Sequence, residues 1–153
     1  MNRNITDSIA AVVRDTSVRP EKARAIAHLI RRSRNYRWVG VHDVGPEVVS
    51  IIAYSGPGAP AYPRLPVTKG LTGSAVRDQK TVVAGDVQSD PRYLTAFGST
   101  LSEIIIPVMA DKTGAVVGTI DVESELANAF SPADQKMLED FASAARPLWV
   151  PEC

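Results

Sequence analysis

The sequence predicts an α+β fold, an antiparallel sheet of about five to six strands with its helices gathered mainly on one face. Three observations predict it. From Ser102 to Glu125, SEIIIPVMADKTGAVVGTIDVESE, apolar residues alternate on either side of a tight turn at Asp111-Lys112-Thr113-Gly114, the pattern of a hairpin. From Tyr36 to Tyr54 a second alternating pair is joined at Gly45-Pro46. Both ends of the chain instead carry apolar residues at helical spacing.

In chain order, Thr6 or Asp7 is placed to cap a first helix bearing Ile9, Ala10, Val12 and Val13. Pro20 stands at the start of a second, with Ala23, Ile26, Ala27 and Ile30 on one stripe. His28 on that helix reads as a surface or boundary residue. The run Arg31-Arg32-Ser33-Arg34 with Arg37 reads as a solvated helix end that suits the helix dipole. Tyr36 to Val44 follows as a strand, with Val39 and Val41 on one face and Tyr36, Trp38, Gly40 and His42 on the other. Val48 to Tyr54 is its partner. Ser55 to Pro66 holds four prolines and two glycines and reads as a constrained loop. Gly70-Leu71-Thr72-Gly73 punctuates before a short helix from Ser74 to Asp78. Val82-Val83 is a brief strand, and Asp86 to Gly98 an irregular segment turning at Asp90-Pro91. After the 102–125 hairpin, Ser131 caps a helix with Pro132 at its first position and Asp134 in its first turn. Met137, Leu138, Phe141 and Ala142 mark its buried side, and Pro147 ends it.

The chain of 153 residues reads as one domain, 1–153. Its N-terminal helices take 6–34, the sheet and its loops 36–125, and the C-terminal helix 132–146. Lysine plus arginine and aspartate plus glutamate both number 17, so net charge gives no argument for nucleic acid. No window is apolar enough to span a membrane, and MNRNITDS lacks the apolar core of a secretory leader. Cys153 is the one cysteine, which excludes an internal disulfide and places the protein in the cytoplasm. Two histidines and one cysteine give no metal-ligand spacing, so no metal and no cofactor are expected. Neither Gly56-Pro57-Gly58 nor Gly70-x-x-Gly73 is a phosphate-binding loop, and no Gly-x-Ser-x-Gly elbow marks a catalytic serine.

The hairpin carries the functional signal. Ile104, Ile106, Val108, Val116, Ile120 and Val122 make one wholly aliphatic face, which belongs against helices. The opposite face holds Glu103, Asp121 and Glu123. Carboxylates on a face that loops would cover are costly unless something cationic meets them. Loops over a sheet make a concave, partly apolar pocket, and Trp38 on the same face suits a cation or a thioether. The bland alternatives are that the acids pair with Arg37, Arg64, Arg77 or Arg92 or face solvent, and that Trp38 is a core residue.

These residues resemble the GAF domain, and more narrowly are similar to the free methionine-R-sulfoxide reductases. The resemblance runs from Tyr36-Arg37-Trp38-Val39-Gly40 to Phe130. It rests on Gly70-Leu71-Thr72-Gly73, Asp86-Val87, Ser102-Glu103-Ile104-Ile105-Ile106-Pro107 and Gly118-Thr119-Ile120-Asp121-Val122-Glu123-Ser124. It implies that Glu103, Asp121 and Glu123, with Trp38, bind a free amino acid, with glutamate for the more usual aspartate at 123. It also implies that the family's three cysteines are replaced by Tyr62, Thr72 and Ala96, which then line the space the cysteines vacated. Sulfoxide reduction needs an attacking thiolate and a resolving thiol, and Cys153 beside acidic groups is not activated. No catalytic residue is therefore expected.

The reading is a stand-alone GAF-type domain whose partner is a small molecule, a free amino acid or amine. The resemblance also implies a homodimer. Two alternatives stay open: a dimerising interaction module with an occluded pocket, and a diverged enzyme using the carboxylates as acid–base groups. Three acids would repel a cyclic nucleotide, and no cysteine is placed to attach a bilin.

Overall fold

The computed structural model describes residues 2–95, 97–111 and 114–151. Ala96, Cys153 and the Lys112-Thr113 turn lie outside the described residues. The elements are α1 (Asn2–Arg14), α2 (Arg19–Ser33), β1 (Trp38–Val44), β2 (Val48–Ser55), β3 (Arg64–Pro66), α3 (Gly70–Asp78), β4 (Val82–Ala84), β5 (Ser102–Met109), β6 (Val116–Ser124) and α4 (Pro132–Ala145). Among the described residues the strands form one sheet in the order β3-β2-β1-β6-β5-β4, every neighbour antiparallel.

Strand alternation divides the chain between two layers. Val39, Val41, Ile104, Ile106, Ile120 and Val122 point to one face, where α2 covers β1 and β2 and α4 covers β5. Ile26, Ile30, Leu138 and Phe141 meet them there, each essentially inaccessible to solvent. α1 packs on α2 and α4. Ser131 and Asp134 close a reciprocal capping box at the start of α4, its side chain and backbone exchanging hydrogen bonds of 3.1 and 3.0 Å. On the opposite face α3 packs against β4, β5 and β6, around Leu71, Ala75, Val87 and Ile105.

Four expectations need correction. α1 begins at Asn2, ahead of the expected caps Thr6 and Asp7. Its apolar stripe already starts at Ile5, which packs against the core a turn before Ile9. Tyr36 does not share the face of Trp38. Asn35 takes a left-handed φ of 56°, the strand begins only at Trp38, and Tyr36 turns into the helix-side core against Phe130, ring centroids 5.6 Å apart. The segment from Ser55 does not stay a loop as far as Pro66, because Arg64–Pro66 pairs with Val48–Ser50 as an edge strand. An edge is where a sheet tolerates proline. Finally, α3 starts at Gly70 and not at Ser74. The glycines read as breakers are admitted for closeness: a Cβ on Gly73 would collide with the backbone of Thr68.

β4 begins only at Val82, opposite Ile105, so β5 beyond Ile105 has no partner on that side. Pro107, which has no N–H to offer, lies just beyond. The uncovered stretch leaves an open groove of about 660 Å³ between the end of β5 and α4. It is remote from the acidic residues singled out above.

Candidate functional site

The register of three adjacent strands assembles the site. Trp38 on β1 lies opposite Glu123 on β6, and Gly40 lies opposite Asp121. Glu103 on β5 lies opposite Glu123 from the other side. The three carboxylates converge, with one oxygen from each lying within 4.8 Å of the others. All three side chains are buried. None takes the arginine partners that the bland reading offered. Arg37 stands 3.6 Å from Glu125, Arg77 pairs with Asp78 and Arg92 with Asp90.

The electrostatics follow from burial without a cation. Burial first, then the charge of Asp121 and a hydrogen bond with it, push Glu103 well above the ordinary carboxyl range. Burial also raises Asp121 to about 6, against the pull of that hydrogen bond. The two groups hold a proton between them, the carboxylic acid of Glu103 donating to Asp121. Burial and the charge of Asp121 raise Glu123 to about 8, although the Thr100 hydroxyl donates to its Oε1 at 2.7 Å and Arg37 pulls the other way. Oδ1 of Asp121 is buried and has no hydrogen-bond partner.

An aromatic wall stands beside the acids. Trp38 is 2% exposed and stacks on Tyr54 at 5.9 Å. It meets Phe97 at 5.7 Å and donates from Nε1 to the Gly58 carbonyl at 3.0 Å. Gly40 makes this possible, since a Cβ there would run into the Trp38 ring. One cavity joins Trp38, Glu103, Asp121 and Glu123 with Tyr62 and Thr72. Ala96, expected beside them, lies outside the described residues. The start of α3 opens onto the same cavity through Gly70, Leu71 and Thr72, and no side chain caps that helix end. The cavity is small, about 60 Å³. Tyr62 is 43% exposed, so it stands at the rim and does not fill the interior.

Sequence reasoning missed His42, Leu65, Leu94 and Phe97 as lining residues. His42 had a signal, because it alternates in phase with Trp38. Its imidazole is neutral, burial lowering it to about 4, and its Nδ1 is buried without a partner. Leu65, Leu94 and Phe97 come from segments without useful periodicity.

Residues 21–147 match the family model described as GAF domain. The Bacillus subtilis (strain 168) protein YtsP is 30% identical over 120 residues, 78% of this chain and 72% of that protein. Among solved structures, the type II free methionine-R-sulfoxide reductase from Thermoplasma acidophilum is 32% identical, with a TM-score of 0.77 over 86% of this chain and 94% of that one. The free methionine-R-sulfoxide reductase from Neisseria meningitidis, solved in complex with its substrate, is 25% identical. Its TM-score is 0.85 over 97% of this chain and 87% of that one.

Proposed function

We propose that this chain, which belongs to the GAF domain family, is a sensory or regulatory domain that binds a small cationic or amino-acid-like molecule in its acidic pocket. The observation that carries this is the convergence of three buried carboxylates with no lysine or arginine among the described lining residues. An ammonium group entering there replaces the protons that the acids otherwise retain, and so offsets their desolvation. Trp38 walls the apolar part of the ligand. The uncapped start of α3 presents free N–H groups to a carboxylate, as helix N-termini do, which favours an amino acid over a plain amine.

The chain is similar to reductases, but its single cysteine cannot be both the attacking and the resolving thiol. The pocket is therefore read as binding without thiol chemistry. Its volume of about 60 Å³ is well below the ~300–1,000 Å³ of ordinary ligand sites, so the loops bearing Tyr62 and Phe97 must move outward on binding.

A thermal-shift screen against free amino acids, methionine sulfoxide included, and small amines tests the reading. A ligand at ~100 times its dissociation constant stabilises the fold by ~2.7 kcal/mol. Affinity should rise as pH increases through about 6 to 8, where Asp121 and Glu123 give up their protons. Binding that survives Glu103→Gln with Asp121→Asn unchanged would remove the assignment.

Two observations each favour a second reading. Raised carboxyl pKa values are also what acid–base catalysis uses, and turnover of any compound in the screen would make the chain an enzyme. The small cavity is equally what a closed interaction module would show. A screen without hits would favour that module.

A further inference from the structure

We infer that a second cavity, between the C-terminal end of α2 and the connection from β6 to α4, is a site for a small oxyanion, a phosphate or carboxylate group. It measures about 420 Å³ and is lined by Arg31, Arg34, Tyr36, Arg37, Glu125 and Leu126, among others. That volume lies within the ~300–1,000 Å³ range of ligand sites. The site shares no lining residue with the acidic pocket.

The basic run of the sequence divides here by helical geometry. Arg31 and Arg34, one turn apart, line the cavity with Arg37, Arg34 at its exposed mouth, while Arg32 lines none of it. Arg31 is anchored by its Nε, which donates to the Arg37 carbonyl at 3.2 Å, leaving the rest of its guanidinium fork toward the cavity. Glu123 also acts on Arg37 but keeps its proton up to about 8. Two ionised carboxylates face the group, and neither is within hydrogen-bond distance. Glu125 stands 3.6 Å from Nε of Arg37, and Asp134 stands 3.9 Å from Nε of Arg34. Asp134 is also engaged in the capping box of α4. Three arginines against two carboxylates leave one positive charge, which one anion would neutralise.

The plain reading, a solvated helix end, does not account for two buried donors. The Tyr36 hydroxyl and Nε of Arg37 are both buried without a hydrogen-bond partner. The Arg37 guanidinium stacks over Phe97, 5.4 Å from its centroid, and stands 3.6 Å from Glu125, but neither contact supplies a hydrogen bond. Buried donors without one are costly. Tyr36 is 6% exposed. Burial, with the charge of Asp134, raises its pKa to about 12, so the hydroxyl stays a donor. Guanidinium forks and a phenol, all donating, fit the oxygens of an oxyanion. The opposite wall is held in place for that role. Leu126 is fixed by Ser102, whose Oγ donates to its carbonyl at 2.6 Å, and by its own N–H to Ser124 Oγ at 3.1 Å.

The test is titration of the whole chain with inorganic phosphate and, separately, with succinate, at matched ionic strength in chloride. The readouts are thermal shift and calorimetry. At least one anion should give a saturable stabilisation, and whichever does so names the class. Arg31→Gln and Arg34→Gln should each weaken it roughly tenfold, as loss of a charge-assisted hydrogen bond does. Arg32→Gln should retain it, and so should Glu103→Gln in the acidic pocket. Absence of a saturable shift with both anions would overturn the proposal. So would an Arg32→Gln loss equal to that of Arg31→Gln, which would show diffuse screening rather than a site.

Discussion

Replacing Glu123 by glutamine should stabilise the ligand-free protein, and by an amount set by pH. The side chain is buried between Trp38, Asp121 and Glu103, and its carboxyl titrates at about 8 instead of the ordinary 4.5. The unfolded chain releases that proton near 4.5, while the folded chain keeps it to about 8. Between those values the folded state binds more protons, so this group's contribution is fully present below 4.5 and is lost as pH rises toward 8. The cost is 2.303RT multiplied by the logarithm of the ratio of the two proton-binding polynomials. It comes to less than ~1 kcal/mol at pH 4.5 and roughly 3 kcal/mol at pH 7. Glutamine keeps an acceptor for the Thr100 hydroxyl but carries no charge to desolvate. At pH 7 the variant should therefore melt ~6–12 °C above the wild type, taking ~2–4 °C per kcal/mol for a domain of this size. At pH 4.5 the two should nearly coincide. Differential scanning calorimetry across that range decides the matter. Parallel melting curves, with a difference independent of pH, would show that Glu123 is not held protonated by burial.

Two further outcomes follow from packing and capping. Gly40→Ala places a Cβ against the Trp38 ring. It should destabilise by ~1–3 kcal/mol through overpacking and shift the tryptophan emission as Trp38 leaves its stack on Tyr54; unchanged emission would contradict this. Ser131→Ala removes the capping box of α4 and should cost ~1 kcal/mol in urea unfolding with an unchanged m-value.

Stability and function oppose each other at the acidic face. Three carboxylates that would be easier to bury as neutral residues remain on a face that could have been an ordinary core. Polar atoms left without partners, such as Asp121 Oδ1 and His42 Nδ1, cost stability, and on the proposed reading a ligand would return it.

The sequence by itself determined which residues share a face. Side chains alternate with a period of two along a strand, so Glu103 was bound to oppose Ile104, and Asp121 and Glu123 to lie together, before any partner strand was known. Proline at 20 and 132 and the Ser131–Asp134 pair likewise announced α2 and α4 through local chemistry. Tertiary structure decided what local chemistry leaves open. The pairing of β1 with β6, and of β6 with β5, brought the acids within 4.8 Å and set Trp38 beside Glu123. No local signal specifies which strands become neighbours. Tyr36 went to the core where Asn35, at a left-handed φ, turns the chain just before β1, and Gly73 admits the backbone of Thr68 where a side chain would clash. Arg31, Arg34 and Arg37, alike in sequence with Arg32, line one cavity that Arg32 does not, a division made by the helix and by the wall at Glu125 and Leu126. Burial is a property of the assembled layers, and so are the raised pKa values and unpartnered atoms that follow from it.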